Sequence, residues 1–521
     1  MRKMLTGFLK GNYKYGLFSG ILFALSWNTY FPAVSLFLAL IPLLYLQKYL
    51  KPGFIEYFNT SLLAFVLFHL GTVLWIYKSS ILGFVAVITL NSLFMASVMG
   101  LFYIVSTKWN KYLAYLSLVV FWLSFEFLHY HWEISWPFMN FGNWLGQIPE
   151  WIQWYEYTGV SGGTLWILLV NILLFMSGDL FFQNKKIVGG IMIISCIFLL
   201  VFPITISYQL FPEPLENNKK VSVLIVQPNI NPYTEKYNSS LFEKQIVEQI
   251  QMAEENINSK TQLIIFPEAS FPLYLNKDSL FANDNINEIT RLTKLNKGAG
   301  IIFGLYTYKI DEYDTLYSNT AVYLNSEADY SLYNKSKLVP AVEKTPFASY
   351  FQFLKDLNVD FGGITSSLGV SDSRNVFVTK DVNIAPVICY ESVYGEFVAE
   401  FVKNGAEIIT VITNDAWWGN TPAYDQILMH SCLRAIETSR SVIRSANTGV
   451  SCLIDKYGAI KNVLPINEKL VLSVLAEKDN EITFYVKNGD FIGRFAVYVS
   501  VVILLLFGLQ RVLLERRKPK R

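Results

Sequence analysis

Charge is what this chain has least of. Asp, Glu, Lys and Arg make up 16% of its 521 residues, whereas 52% are apolar; a soluble domain normally carries charge on about a quarter of its residues. The scarcity points to a membrane protein. A formal net charge of only +2 supplies no overall field for a polyanion, which argues against nucleic acid as a partner. Cysteine is also sparse. Cys196, Cys389, Cys432 and Cys452 form no CxxC pair and no cluster with histidine, which excludes a zinc-finger-type site and a dense disulfide framework and leaves room for one nucleophile. There is no internal repeat, and the only biased segment is the basic C-terminal tail.

What is present is unevenly placed. Apolar stretches able to cross a hydrocarbon core of roughly 30 Å lie near 13–28, 30–46, 58–77, 80–106, 112–130, 157–182, 187–208 and 491–510. The first two meet in a tight hairpin at Asn28 to Pro32, and the first reads as a retained anchor rather than a cleaved signal. With about eight spans, Arg2, Lys3, Lys10, Lys14, Lys48, Lys51, Lys108, Lys111, Lys185, Lys186 and the basic run Arg511 to Arg521 all fall on one side. The positive-inside rule makes that side cytoplasmic, with both termini there. The alternate loop His129 to Tyr157 has no Lys or Arg but contains Trp132, Trp136, Trp144, Trp151 and Trp154, a composition suited to the outer membrane interface.

Between residues 210 and 490 the composition becomes globular. Short β-branched runs at 221–227, 261–267, 300–306, 320–325, 382–390, 407–414, 449–455 and 471–476 alternate with amphipathic helical patterns near 239–258, 284–296, 394–403 and 423–440. Near-continuous apolar strands separated by such helices predict a sheet covered on its faces. The expected organisation is therefore a membrane domain at 1–209 with seven transmembrane helices, an α/β domain at 210–490, and a final transmembrane helix with its basic tail at 491–521.

Three strand ends in the α/β domain carry a polar residue, and the carboxyl ends of strands are where open α/β sheets build their sites. They are Glu268 in IIFPEAS, Cys389 in APVICYES and Asp415 in TVITNDAWWG. Each alone has an ordinary structural explanation: a helix cap, a small buried hydrophobe and an Asx turn, respectively. Lys335, Lys337 and Glu343 lie between them, in a segment whose default reading is a solvated loop.

Their order along the chain carries more information. FPE, YxK, LVPxxE, CYE and NDAWW in succession resemble the carbon-nitrogen hydrolase, or nitrilase, superfamily. That resemblance covers about residues 221–476 and implies a four-layer αββα sandwich with Glu268, Lys335 and Cys389 as its catalytic set. The membrane segments, together with LVPxxE, NDAWW and RAIETSRSVIRSANTGVS (434–451), look similar to the apolipoprotein N-acyltransferase family of the bacterial inner membrane. This implies a phospholipid acyl donor and a diacylglyceryl apolipoprotein acceptor, handled by a monomer whose catalytic domain faces the periplasm. The same resemblance implies supporting roles for Glu343, Tyr390, Glu391 and Asn319, and places Tyr237 where the family usually has Trp. The chain departs from that pattern at VPAVE (339–343) in place of VPFGE, and at Lys337 in place of a common His.

The chemistry fits these groups. Thiolate is a good nucleophile and a thioester a reactive acyl donor, so ester-to-amine transfer is easier in two steps. Cys389 would supply the sulfur, Glu268 the base, and Lys335 would stabilise the oxyanion. No cofactor or metal is needed, because an ester is already an activated donor. If the acyl groups stay in lipid, the active site opens at bilayer height, with SYFQFL (349–354) and the Trp-rich loop at its entrance. A membrane-tethered amidase would use the same trio with water as the acceptor, and a degenerate scaffold would use none of it.

Overall fold

Uncharged runs long enough to cross a bilayer and short β-branched runs occupy different parts of the chain, and they fold as two units. The structure is a computed structural model that describes residues 11–27, 33–211, 219–236, 238–295, 298–310, 315–327, 329–340, 342–347, 350 and 368–516. One unit comprises the residues up to Leu210 together with those from Asp490 onward; the other is Phe211–Gly489.

Among the described residues of the first unit, six helices are long and apolar enough to cross a membrane: Phe54–Thr72, Ile81–Ser106, Lys111–His129, Tyr155–Phe182, Lys186–Gln209 and Phe491–Gln510. The two N-terminal apolar stretches are shorter than full spans. One is a helix of 12 residues, Tyr13–Ala24, and the other is a broken run over Val34–Leu50 in which 3-10, α and π turns follow one another. The expected hairpin at Asn28 to Pro32 lies outside the described residues.

Of the tryptophans in the Trp-rich loop, Trp132 is exposed, Trp136, Trp151 and Trp154 are half-buried and Trp144 is buried. Much of the loop folds inward as 3-10 turns, burying Phe138, Phe141, Trp144 and Leu145, with Trp144 packed against Trp27 and Phe68. The cause is a buried carboxylate. Glu126 accepts hydrogen bonds from Trp122 Nε1 (3.0 Å), the Phe141 backbone N–H (2.8 Å) and Thr164 Oγ1 (2.6 Å), and so ties the loop to two helices. Saturating its acceptors is what makes a carboxylate tolerable among apolar helices.

The second unit has two sheets. The first runs β13-β1-β2-β4-β5-β6, with β3 paired to β4, from β1 Lys220–Gln227, β2 Leu263–Ile265, β3 Tyr274–Asn276, β4 Gly300–Ile310, β5 Thr315–Leu324, β6 Tyr330–Asn334 and β13 Leu470–Glu477. The second runs β12-β11-β10-β9-β8-β7, from β7 Phe377–Val378, β8 Asn383–Ile388, β9 Ile408–Thr413, β10 Val442–Ala446, β11 Cys452–Ile454 and β12 Ile460–Val463. Successive side chains point to opposite faces of a strand. Accordingly, Val223, Ile225 and Ile265 share a buried cluster with Ile384, Ile388 and Ile443 of the other sheet. Leu224, Val226 and Ile264 instead meet Ile246 and Ile250 of α1 (Phe242–Asn256) and Ile289 of α2 (Asp284–Leu295). Helices α3 (Gly395–Lys403) and α4 (Ala423–Thr438) pack on the second sheet. The result is the αββα sandwich. Each fully buried aliphatic side chain contributes about 1.5–3 kcal/mol, so the apolar strands account for why these layers form.

Strands β1, β2 and β4 run parallel, as do β8, β9 and β10. Their carboxyl ends deliver the polar residues picked out in the sequence.

Candidate active site

Glu268 follows β2 in a tight turn, and Ala269 beside it has φ 45°. The turn presses so closely on β4 that a Cβ added at Gly304 would lie 2.4 Å from the Ala269 nitrogen and 2.9 Å from the Glu268 Cα. Only glycine fits there. Lys335 leaves β6 with its backbone N–H bonded to the Asn319 carbonyl (2.8 Å), which sends its side chain inward. The solvated-loop reading of this segment therefore fails at Lys335, which is 2% exposed. Cys389 ends β8 at φ 49° and opens a 3-10 turn, Cys389–Val393. A left-handed non-glycine backbone costs on the order of 1–3 kcal/mol and often marks a functional turn.

These groups converge. Lys335 Nζ lies 3.0 Å from Glu268 Oε1 and 2.8 Å from Glu343 Oε1. Asn319 Nδ2 donates to Glu268 Oε1 (2.8 Å) and reaches Glu343 Oε1 at 3.5 Å. The second oxygen of Glu268 accepts the Asn414 backbone N–H (3.1 Å), and that of Glu343 accepts the Val339 N–H (2.9 Å). Burial disfavours charge on Glu268, but Lys335 and Lys236 outweigh it and hold the carboxyl below its usual range. Burial likewise opposes charge on Lys335, while Glu268 and Glu343 hold its ammonium well above the ordinary value. The Cys389 thiol is pushed up to about 12, first by burial and then by Glu268, against the pull of Lys335. The resting site is thus a thiol beside a carboxylate and an ammonium.

Glu391 joins the two halves of the site. Its Oε1 accepts the Tyr333 hydroxyl (2.6 Å) and the Ser336 and Lys337 backbone N–H groups (2.6 and 3.4 Å), while its Oε2 accepts the Ile388 N–H (2.8 Å). One carboxylate therefore fixes the turn bearing Lys335 against the turn bearing Cys389. Burial pushes its carboxyl up to about 7, against these hydrogen bonds. Tyr390 is buried edge-on to Tyr394, their ring centres 5.3 Å apart. Lys337 lies over the rings of Tyr394 and Phe397. Tyr237 lies outside the described residues, as does SYFQFL (349–354) except for Tyr350.

Asp415, the third strand-end residue, binds Arg444 Nη2 (2.6 Å) and accepts from Thr413 Oγ1 (2.8 Å), and Thr413 in turn hydrogen-bonds Cys389. It is linked to Cys389 through Thr413. Sequence reading also missed Lys236, a buried lysine whose Nζ donates to the Glu268 backbone carbonyl (3.3 Å). In NPYTEKY nothing local separates it from a solvated turn residue; only its place beside Tyr237 was a signal.

The carbon-nitrogen hydrolase family matches residues 223–476, so the αββα unit with its Glu, Lys and Cys cluster defines an enzyme of the carbon-nitrogen hydrolase class. The N-terminal domain of apolipoprotein N-acyltransferases matches residues 19–173. An apolipoprotein N-acyltransferase of Chlorobaculum tepidum is 28% identical over 95% of this chain and 96% of its own length, and one of Aquifex aeolicus is 28% identical over 85% and 94%. Among solved structures, Saccharomyces cerevisiae Nit3, of branch 10 of the nitrilase superfamily, aligns with 50% of this chain and 90% of its own at 15% identity and a TM-score of 0.37. The chain belongs to the apolipoprotein N-acyltransferase family and is a membrane acyltransferase of lipoprotein N-acylation.

Proposed function

We propose that the chain moves a fatty acyl group from a membrane phospholipid to the N-terminal α-amine of an S-diacylglyceryl cysteine, through a thioester on Cys389. The observation that carries this reading is the cluster in which Lys335 bridges Glu268 and Glu343, joined through Glu391 to the turn of Cys389. In the first half, the Cys389 S–H bond breaks, its proton passes to Glu268, and the sulfur electron pair forms a bond to the donor ester carbon. Negative charge collects on the carbonyl oxygen, where the Lys335 ammonium stabilises it. Collapse expels the lysophospholipid alkoxide, which takes the proton from Glu268. In the second half, the acceptor amine, with an ordinary pKa near 8, attacks the thioester as its free base, Glu268 takes one N–H proton, the C–S bond breaks, and the leaving thiolate recovers that proton from Glu268. Glu343 and Asn319 hold Lys335 and Glu268 in register throughout.

The 1–209 segment supplies seven membrane segments, the first two of them shorter than full spans, and 491–521 supplies one; both termini are cytoplasmic, and 210–490 faces the periplasm of a bacterial inner-membrane protein that works as a monomer. The support for this orientation is the gathering of Lys48, Lys51, Lys108, Lys111, Lys185 and Lys186 on one side.

The test is the intact mass of the purified protein after incubation with phospholipid and then with a diacylglyceryl-cysteinyl peptide, alongside Cys389→Ala. The reading requires a fatty-acyl mass that forms only with Cys389 and is lost as the peptide becomes N-acylated. Loss of the acyl mass to water with the peptide unmodified would instead establish a tethered hydrolase.

A further inference from the structure

Three membrane segments meet around an open cavity of about 360 Å³: the end of the broken run Val34–Leu50, the end of the helix Ile81–Ser106 and the start of the helix Lys111–His129. Lys48, Lys51 and Lys111 line it, and no carboxylate does. Lys48 is matched by the buried Asp179, which also accepts the Tyr49 hydroxyl (2.6 Å) and Gln183 Nε2 (3.0 Å). Lys51 and Lys111 are exposed and have no carboxylate partner among the described residues. The Lys111 ammonium rests 5.1 Å from the Tyr112 ring centre. With three cations and one neighbouring anion, the cavity keeps a surplus of two positive charges.

Both unmatched cations stand on fixed backbone. Lys51 is left-handed at φ 45°, with its N–H bonded to the Leu46 carbonyl (3.2 Å); such strain persists only where the surrounding structure imposes it. Lys111 opens its helix directly after Asn110, whose side chain accepts the Tyr112 and Leu113 N–H groups (3.0 and 3.1 Å). The neutral polar groups of the cavity are already engaged. Gln47 Nε2 donates to Ser106 Oγ (2.8 Å), Ser106 Oγ to the Tyr103 carbonyl (2.8 Å) and Thr107 Oγ1 to the Ile104 carbonyl (2.9 Å). What remains for a ligand is the ammonium donors, beside a wall of the buried Phe102, Ala114 and Tyr115. That combination suits an anionic head with an apolar neighbour. Lysine binds phosphate as a point charge with three donors, and basic pockets between membrane helices take anionic headgroups.

We propose that this cavity is a binding site for a phosphate group, held between the Lys51 and Lys111 ammonium groups and carried by a phospholipid headgroup or a small phosphate ester. Every residue lining it belongs to the unit without Cys389, so the site needs no part of the acyl-transfer reading. The experiment is acetylation of lysines in the full-length protein, delipidated in a maltoside detergent that carries no phosphate. Rates at Lys51, Lys111, Lys185 and Lys186 are read peptide by peptide with phosphatidylglycerol, glycerol 3-phosphate or oleate added. At a ligand concentration of about ten times the dissociation constant, a bound amine reacts about tenfold more slowly. That slowing is expected at Lys51 and Lys111, with unchanged rates at Lys185 and Lys186, which are exposed outside the cavity. Loss of one lysine should weaken binding about fivefold. In Lys111→Gln the protection of Lys51 at the same concentration therefore falls to about threefold, and Lys51→Gln does the same to Lys111. Both positions are exposed, so neither variant removes a packed group. Protection by phosphatidylglycerol alone makes the ligand a lipid headgroup, and equal protection by glycerol 3-phosphate makes it a soluble phosphate ester; both uphold the site. Four results overturn it: no slowing by either phosphate compound, slowing shared equally by Lys185 and Lys186, equal slowing by oleate, or full protection of Lys51 in Lys111→Gln.

Discussion

Glu391→Gln tests the idea that one carboxylate locks the site together. Glutamine preserves the volume but has a single acceptor oxygen. With that oxygen in the Oε1 position it still receives the Tyr333 hydroxyl and the Ser336 and Lys337 N–H groups, and its NH2 then faces the Ile388 N–H across the 2.8 Å that now holds a hydrogen bond. Flipped, it satisfies Ile388 and sets the NH2 against the two 2.6 Å donors. Either way at least one buried donor loses its acceptor and a new buried NH2 goes unmet. At about 1–3 kcal/mol for each such group, the expected loss is about 2–6 kcal/mol. For a unit of this size, where 1 kcal/mol moves the midpoint by about 2–4 °C, thermal unfolding should fall by at least about 4 °C and by up to about 24 °C. The cheaper orientation sacrifices Ile388, the residue before Cys389, so acyl-enzyme formation should fall more than the midpoint alone explains. A Glu391→Gln protein that melts within about 1 °C of wild type and acylates at the wild-type rate would refute the bridging role.

Three further outcomes follow from the geometry. Gly304→Ala places a Cβ 2.4 Å from the Ala269 nitrogen; backbone has to move, at about 1–3 kcal/mol, and acyl-enzyme formation should be lost in a protein that still melts cooperatively. Arg444→Met strands the buried Asp415 carboxylate, and breaking such a pair costs about 3–5 kcal/mol; in denaturant titrations, Arg444→Met/Asp415→Asn should recover most of that loss, and additive losses would show the pair to be uncoupled. With its thiol pushed up to about 12, Cys389 in the wild type should alkylate about tenfold faster for each pH unit up to at least pH 9. A plateau below pH 9 would contradict the buried, thiol-form resting state.

Several features were legible in the sequence because they are local. Strand β8 and strand β9 read as near-continuous apolar runs, and the helices at α1 to α4 read by their 3.6-residue periodicity, so the layers and the strand ends bearing Glu268, Cys389 and Asp415 were in view. Strand β10 was not. It carries Arg444 and Ser445 among its five residues, all buried, and a buried arginine in a strand makes sense only once Asp415 stands across from it.

The primary sequence by itself therefore determined the two kinds of segment, the α/β class of the second and the order of the reactive groups, because hydrophobic periodicity and motif order are properties of neighbours along the chain. Tertiary structure alone decided which polar groups share one site. Asn319 meets Glu268 across 51 residues, Tyr333 reaches Glu391 across 58, and Lys236 reaches the Glu268 carbonyl across 32. It also turned the Trp-rich loop inward, through the three donors that converge on Glu126. In each case the deciding term is the cost of leaving a buried charge or hydrogen-bonding group without a partner, and that partner is set by the fold rather than by sequence distance.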